Sequence, residues 1–431
     1  MSAPIGILGG GISGIVLASE LGPGCEILEK SPRIGGLCAS VRDQGFTFDA
    51  AGPHIMFSKN KDVLGHMVAA LGDNVHQRRR NNKIWFKGRL VKYPFENGLS
   101  DLSKEDCFEC IHQYLQNDWV GAPTNLEEWS YATFGRGISE KYFLPYNRKI
   151  WNHDPAKISL AWVERIPKPP LEDVLKSAIG IETEGYLHQL HFHFPKEGGY
   201  EALVEAYAAR VRGNLRTNCP VQGLRRVGEA WVVETPEGPQ RYDRIISTLP
   251  IHELAKVWSG FPEAGREALA KLRYNSLINV LLGVRIKERH PWTALYVPDL
   301  AIASHRISFM CNFSEGAAPE GYEAVMAEIT TNPGDGIHEL DDKAVIARVI
   351  ADLERMGLLD PAEVTYRRAM RFEYGYPVYD LDYFEQVAQL RRAVEEAGIT
   401  LLGRFAQFDY INSDVCVERA LRLAGELKHA R

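Results

Sequence analysis

An apolar run over residues 4–9 ends in glycines; Ile12, Ile15 and Val16 then recur at helical spacing, and a second apolar run occupies 25–28. Strand, helix and strand in this order predict a β-α-β unit. After about residue 60, long amphipathic and aromatic-rich stretches over 106–119 and 125–142, with few strand signals, predict a helical insertion. Beyond Phe194 come Gly198-Gly199, a helix carrying Leu203, Tyr207 and Val211, a hairpin over 224–235 turning at Gly228-Glu229, and the run Ile245 to Leu249. Residues 278–286, 305–313 and 322–330 read as strands, joined by a helical stretch over 342–356. The segment 401–415 precedes a closing helix, for which Asp414 is the expected N-cap.

Length changes this picture first: 431 residues exceed what one compact core needs, so two units that interleave in sequence are expected. Hydrophobic residues at 45% and charged ones at 25% predict an ordinary folded protein. With 50 basic and 56 acidic residues mixed along the chain, no broad positive surface for nucleic acid is expected. No apolar run reaches the length of a membrane span and no secretory leader is apparent, so the cytoplasm is the expected compartment. The 7 cysteines suit reduced thiols, and the one CxxC pair, Cys107 and Cys110, has no second pair at zinc-site spacing. No metal is therefore expected. His188, His191 and His193 alternate along an apparent strand and read as surface or core histidines. Arg78, Arg79 and Arg80 read as a solvated face.

Gly9-x-Gly11-x-x-Gly14 falls between the first strand and the helix, and Glu29 closes the second strand. Each residue has a physical role. Gly9 allows the tight turn, Gly11 lets the backbone approach a pyrophosphate, and Gly14 lets helix and strand pack closely. The helix start offers free N–H groups to the anion, and Glu29 accepts hydrogen bonds from a ribose. These are the marks of a Rossmann-like dinucleotide site, and the chain is read as α/β. Arg33-x-Gly35-Gly36 resembles the extended fingerprint of the flavoprotein superfamily that includes amine oxidases and protoporphyrinogen oxidase, which implies FAD. No second glycine fingerprint offers a separate nicotinamide site. The domain reading is an FAD-binding unit from 1–60, 190–275 and 396–431, a helical insertion at 61–189, and a sheet-rich substrate domain at 276–395.

Further stretches resemble one branch of that superfamily, the UDP-galactopyranose mutases. They are Gly52-Pro53-His54-Ile55, Tyr93-Pro94-Phe95-Glu96-Asn97, Tyr146-Asn147-Arg148-Lys149-Ile150-Trp151 with Trp162-Val163-Glu164-Arg165, and Leu295-Tyr296-Val297-Pro298 with Arg306. Tyr374-Gly375-Tyr376-Pro377, Gly403-Arg404-Phe405 and Tyr410-Ile411-Asn412-Ser413-Asp414 complete the series. The chain departs from the bacterial pattern at Asn412, where aspartate is usual, and at Phe408; residues 165–195 align poorly.

The resemblance implies a mutase that interconverts pyranose and furanose forms of a nucleoside-diphosphate sugar through a glycosyl adduct on N5 of reduced FAD, with a role in cell-surface polysaccharide biosynthesis. It implies that His54 tunes the flavin edge, that Arg165 and Arg306 bind the diphosphate as two planar donor forks, and that Tyr296, Tyr376 and Tyr410 add neutral donors. Tyr93, Asn147, Trp151 and Asn412 are the other expected substrate contacts. Ser13, Lys30, Gly36, Leu37, Gly52, Val221, Arg404 and Ser413 join Gly9, Gly11, Gly14, Glu29 and His54 around the cofactor. An external reductant such as NAD(P)H is the expected partner, and assembly as a homodimer is left open. The competing functions are an FAD-dependent oxidoreductase of the amine oxidase or desaturase type and a protein that binds both ligands without chemistry.

Overall fold

The computed structural model describes residues 5–166, 168–183 and 190–429, except for the side chains of Glu164 and Arg165. Its nucleotide half is a five-stranded parallel sheet in the order Ile399–Leu401, Arg244–Ser247, Ile5–Leu8, Cys25–Leu28, Asn214–Arg216. Strand Ile5–Leu8 is buried along its whole length at the centre, which is why it reads as an unbroken apolar run. Helix Ile12–Leu21 leaves its end and packs between the helices Glu201–Ala208 and Ser413–His429. Three separate stretches of the chain thus supply strands or helices to one layered body.

The second half is a seven-stranded sheet in the order Val364–Pro377, Tyr274–Arg285, Tyr322–Thr331, Arg306–Phe309, Ala294–Tyr296, Asn82–Phe86, Arg89–Lys92. Two of these strands come from the stretch expected to be only helical. Lys87 and Gly88 both have positive φ, the turn geometry that joins two strands into a tight hairpin, and Ile84 and Phe86 turn inward on alternate positions. The rest of that insertion holds one more strand, His76–Arg79, paired with His191–Phe194, and the helices Lys61–Leu71, Lys104–Leu115, Leu126–Ile138, Leu144–Trp151 and Leu171–Ala178, with a wide turn at Ser139–Phe143. Together they enclose Phe95, Trp129, Phe134 and Trp151. The 14-residue strand Val364–Pro377 is hard to recognise from sequence because its exposed face is heavily charged, with Arg367, Arg371 and Glu373.

A small hairpin, Ser40–Asp43 with Phe46–Asp49, laps the first half over the second. Phe46 packs on Tyr322 and Tyr366, and Gly283 makes room for it: a Cβ there would lie 2.4 Å from the ring. This contact carries the following loop, residues 50–55, across the face of the large sheet. The closing helix starts at Ser413, because Cys416 N–H already bonds to the Asn412 carbonyl; Asp414 sits in the first turn and is not its N-cap.

Candidate active site

The dinucleotide end follows from the glycine spacing. Gly9 turns with φ 103°, and a Cβ on Gly14 would lie 2.4 Å from the Gly9 carbonyl, so only glycine permits this approach. Gly11 caps the helix with no side-chain bond, leaving first-turn N–H groups open to an anion. A Cβ on Gly11 would meet no atom within 4 Å, so the fold itself leaves that side clear. Glu29 accepts from Gly10 N–H at 2.7 Å and Ser31 N–H at 2.8 Å, which fixes its carboxylate beside the glycine turn. Gly35 N–H bonds to the Gly10 carbonyl and brings Gly36 against Gly11. Leu37 is half-buried beside them and Lys30 is exposed. Val221 follows Cys219, whose N–H bonds to the Glu29 carbonyl. Ser13 stands against Gly403, and the Ser413 hydroxyl bonds to the Tyr200 hydroxyl. Arg33 supports the scaffold, donating to the buried Glu201 carboxylate and to the Ser40 carbonyl.

The 50–55 loop follows the hairpin strand Phe46–Asp49. Its His54 N–H donates to Asp49, a buried carboxylate that also accepts from the Ser40 hydroxyl and the Tyr200 N–H. The His54 ring lies 5.3 Å from the Tyr200 ring, with Nδ1 buried and without a partner among the described residues. Burial first, then the positive charges of Arg404 and Arg306, depress the imidazole to about 4. His54 is therefore neutral near pH 7. The folded pKa lies below the unfolded value, so this group's contribution to stability is full above pH 6.5 and is lost as pH falls toward 4. Proton NMR of the imidazole should show no titration between about pH 5.5 and 8, whereas a midpoint near 6.5 would contradict this environment.

The large sheet presents one row of functional groups to that loop. Asn279, Glu328, Arg306 and Tyr296 stand opposite one another on four neighbouring strands, so their side chains share a face. Arg306 donates through Nε and Nη2 to Glu328, which is fully buried; the Nη2 bond is 2.7 Å. Nη1 takes no part in this pair. Gly52 covers the pair so closely that a Cβ would lie 2.5 Å from a Glu328 oxygen. Asn279 Nδ2 ties down the Ala50 carbonyl at 2.8 Å, and its Oδ1 is buried without a partner among the described residues.

Aromatic rings close the remaining walls. Tyr296 lies 4.7 Å from Tyr93 and 5.5 Å from Tyr146, and its hydroxyl accepts from Asn82 at 3.2 Å. Tyr376 and Tyr410 stack at 5.6 Å, with the Arg404 guanidinium 4.2 Å from the Tyr410 ring and its Nε buried without a partner among the described residues. Burial pushes the Tyr93, Tyr146 and Tyr376 hydroxyls well up, so all are neutral donors.

Not every expected contact reaches this space. Trp151 is wholly buried and gives its Nε1–H to the Asn147 amide, whose NH2 bonds to the Phe143 carbonyl. With their polar atoms satisfied internally, both form a support layer under Trp162, Tyr376 and Tyr410. Asn412 is exposed at the helix start. The side chain of Arg165 lies outside the described residues, as does His188. Sequence reasoning missed Glu328 and Asn279, whose only signal is their register opposite Arg306. It also placed Arg80 on a solvated face, whereas Arg80 is half-buried with its charge bearing on Tyr93.

The residues present fit FAD. Gly11 leaves a cradle at the pyrophosphate end, and His54 Nδ1, Arg404 Nε and Asn279 Oδ1, all buried and unpartnered among the described residues, gather polar groups at the other.

The sequence profile of flavin containing amine oxidoreductases matches residues 12–378. A crystal structure of reduced UDP-galactopyranose mutase superposes with a TM-score of 0.90 at 23% identity, covering 100% of this chain and 96% of that one. Coproporphyrinogen III oxidase of Bacillus subtilis is 23% identical over 96% of this chain and 95% of its own. UDP-galactopyranose mutase of Mycoplasma pneumoniae is 24% identical over 50% of this chain and 54% of its own. No helix among the described residues is long and apolar enough to cross a membrane.

Proposed function

The chain belongs to the flavin containing amine oxidoreductase family, and from that premise we propose that it is a flavin-dependent mutase interconverting pyranose and furanose forms of a nucleoside-diphosphate sugar. The observation that carries this reading is Arg306, held by a buried carboxylate among neutral tyrosine hydroxyls in front of the His54 loop. An oxidase of apolar amines has no use for such a site.

Ring contraction requires the anomeric carbon to part from its diphosphate, be held, and be reunited with it. Flavin, bound in its reduced form, supplies the nucleophilic N5 for this chemistry. The protein then has to grip the departing diphosphate without letting it escape. Glu328 fixes the plane of the Arg306 guanidinium by two bonds, so Nη1 meets an oxyanion already oriented. Tyr296, Tyr376 and Tyr410 supply O–H donors without further charge, and Arg165 is assigned as the second fork. Arg404 adds a positive charge that Glu328 does not cancel. His54 stays neutral under burial and the charges of Arg404 and Arg306, and the stacked aromatic walls exclude water from the sugar. An external reductant such as NAD(P)H is proposed to visit the same pocket.

Incubation of dithionite-reduced protein with UDP-galactopyranose, and separately with other nucleoside-diphosphate hexoses, should yield the furanose by anion-exchange chromatography. Absence of any furanose from reduced, FAD-loaded protein would defeat the reading. Peroxide release from an amine without nucleotide would support the oxidase instead.

A further inference from the structure

Three residues after Tyr146, on the same face of helix Leu144–Trp151, stands a lysine whose hydrogen bonds among the described residues go to backbone. Lys149 Nζ donates to the carbonyls of Val297 at 2.9 Å and Asp299 at 2.8 Å. Both belong to the loop joining strand Ala294–Tyr296 to strand Arg306–Phe309, so the two ends of that loop are the site residues Tyr296 and Arg306. Its base is closed by Val297 N–H on the His305 carbonyl, and His305 N–H reaches the Glu328 carbonyl. From outside, helix Asp342–Arg355 holds the same loop: Asp352 accepts from Ala303 N–H at 2.7 Å, while Arg348 and Arg355 donate to the Ala301 carbonyl at 2.7 and 2.9 Å. On the inner side Lys149 is the side chain that grips it among the described residues. The same helix carries Tyr146, whose ring meets Tyr296 edge-on.

We propose that Lys149 is a positioning residue: by clamping the loop between Tyr296 and Arg306 to the helix of Tyr146, it sets the spacing at which these three groups meet the diphosphate of the substrate. The proposal rests on the reading of the site given above. Burial lowers the Lys149 amine to about 7, yet charged or neutral it keeps two N–H donors, and their bonds to two carbonyls of one loop fix both the height and the tilt of that loop. Release would let the Tyr296 hydroxyl and the Arg306 guanidinium move independently, which weakens the grip on the diphosphate before it affects the reacting carbon.

The test compares FAD-loaded wild type with Lys149→Met and Lys149→Arg. Hydrogen exchange of peptides covering 294–306 should be at least about tenfold faster in Lys149→Met, the size of the two hydrogen bonds lost, and nearly restored in Lys149→Arg. KM for UDP-galactopyranose should rise about tenfold in Lys149→Met with kcat within about threefold, because ground-state and transition-state binding suffer alike. Unchanged exchange in Lys149→Met, or a fall in kcat with KM constant, overturns the proposal. Should Lys149→Met fail to fold, Lys149→Gln serves, and wild-type exchange in that variant overturns it equally. If wild type itself makes no furanose, the mutase reading falls while the exchange data still judge the clamp.

Discussion

Arg306→Met should abolish measurable mutase turnover and destabilise the protein, and adding Glu328→Leu should restore the stability but none of the turnover. Glu328 is fully buried, and Arg306 is the cation bonded to its carboxylate. Removing Arg306 alone strands a carboxylate in a dry sheet, a loss of about 3–5 kcal/mol. Replacing both partners by apolar groups removes the stranded charge, so the double variant should unfold in urea close to wild type. Turnover follows another rule. The fork proposed to meet the leaving diphosphate is absent in both variants, and loss of one such oriented donor costs roughly 100- to 1,000-fold. Recovery of turnover in the double variant would show that Arg306 serves the fold and not the substrate.

Gly11→Ala should give a folded protein that purifies without FAD, whereas Gly14→Ala should scarcely fold. The two positions are three residues apart in one fingerprint and differ in what surrounds them. At Gly14 a methyl group would press on the Gly9 carbonyl at 2.4 Å, a backbone atom, with the side chains of Ile7 and Thr248 at 3.2 and 3.4 Å crowding its other sides. At Gly11 the same methyl meets nothing within 4 Å of the protein, so the fold tolerates it. The clear space is where we propose that the pyrophosphate approaches the helix start, so the methyl should exclude the cofactor. Flavin absorbance relative to protein absorbance, read beside circular dichroism, separates the outcomes. A flavin-loaded Gly11→Ala would place the pyrophosphate elsewhere.

Much of the nucleotide half was legible because its information is local. Gly9, Gly11, Gly14 and Glu29 are bound to one strand, one turn and one helix, and neighbours in sequence set their geometry. The tyrosines of the wall were found through motifs, and they do converge: Tyr93 meets Tyr296, and Tyr376 stacks on Tyr410. Asn147 and Trp151 belong to the same motifs yet lie beneath the surface, because the two satisfy each other and leave no polar atom for a ligand. The strands of the insertion were hidden by the amphipathic helices around them, although Lys87-Gly88 was a hairpin signal.

By itself the sequence determined a dinucleotide-binding start, the helices of the insertion and the residue types available for an anion site, since spacing along the chain dictates strand, helix and turn. Only the tertiary structure decided that Glu328, 22 residues from Arg306, is its partner, that Asn279 and Tyr296 complete the row, and that His54 is buried within reach of the charges of Arg404 and Arg306. Which residues face each other across a sheet depends on strand order and register, and a shift of one position would turn the whole row to the opposite face.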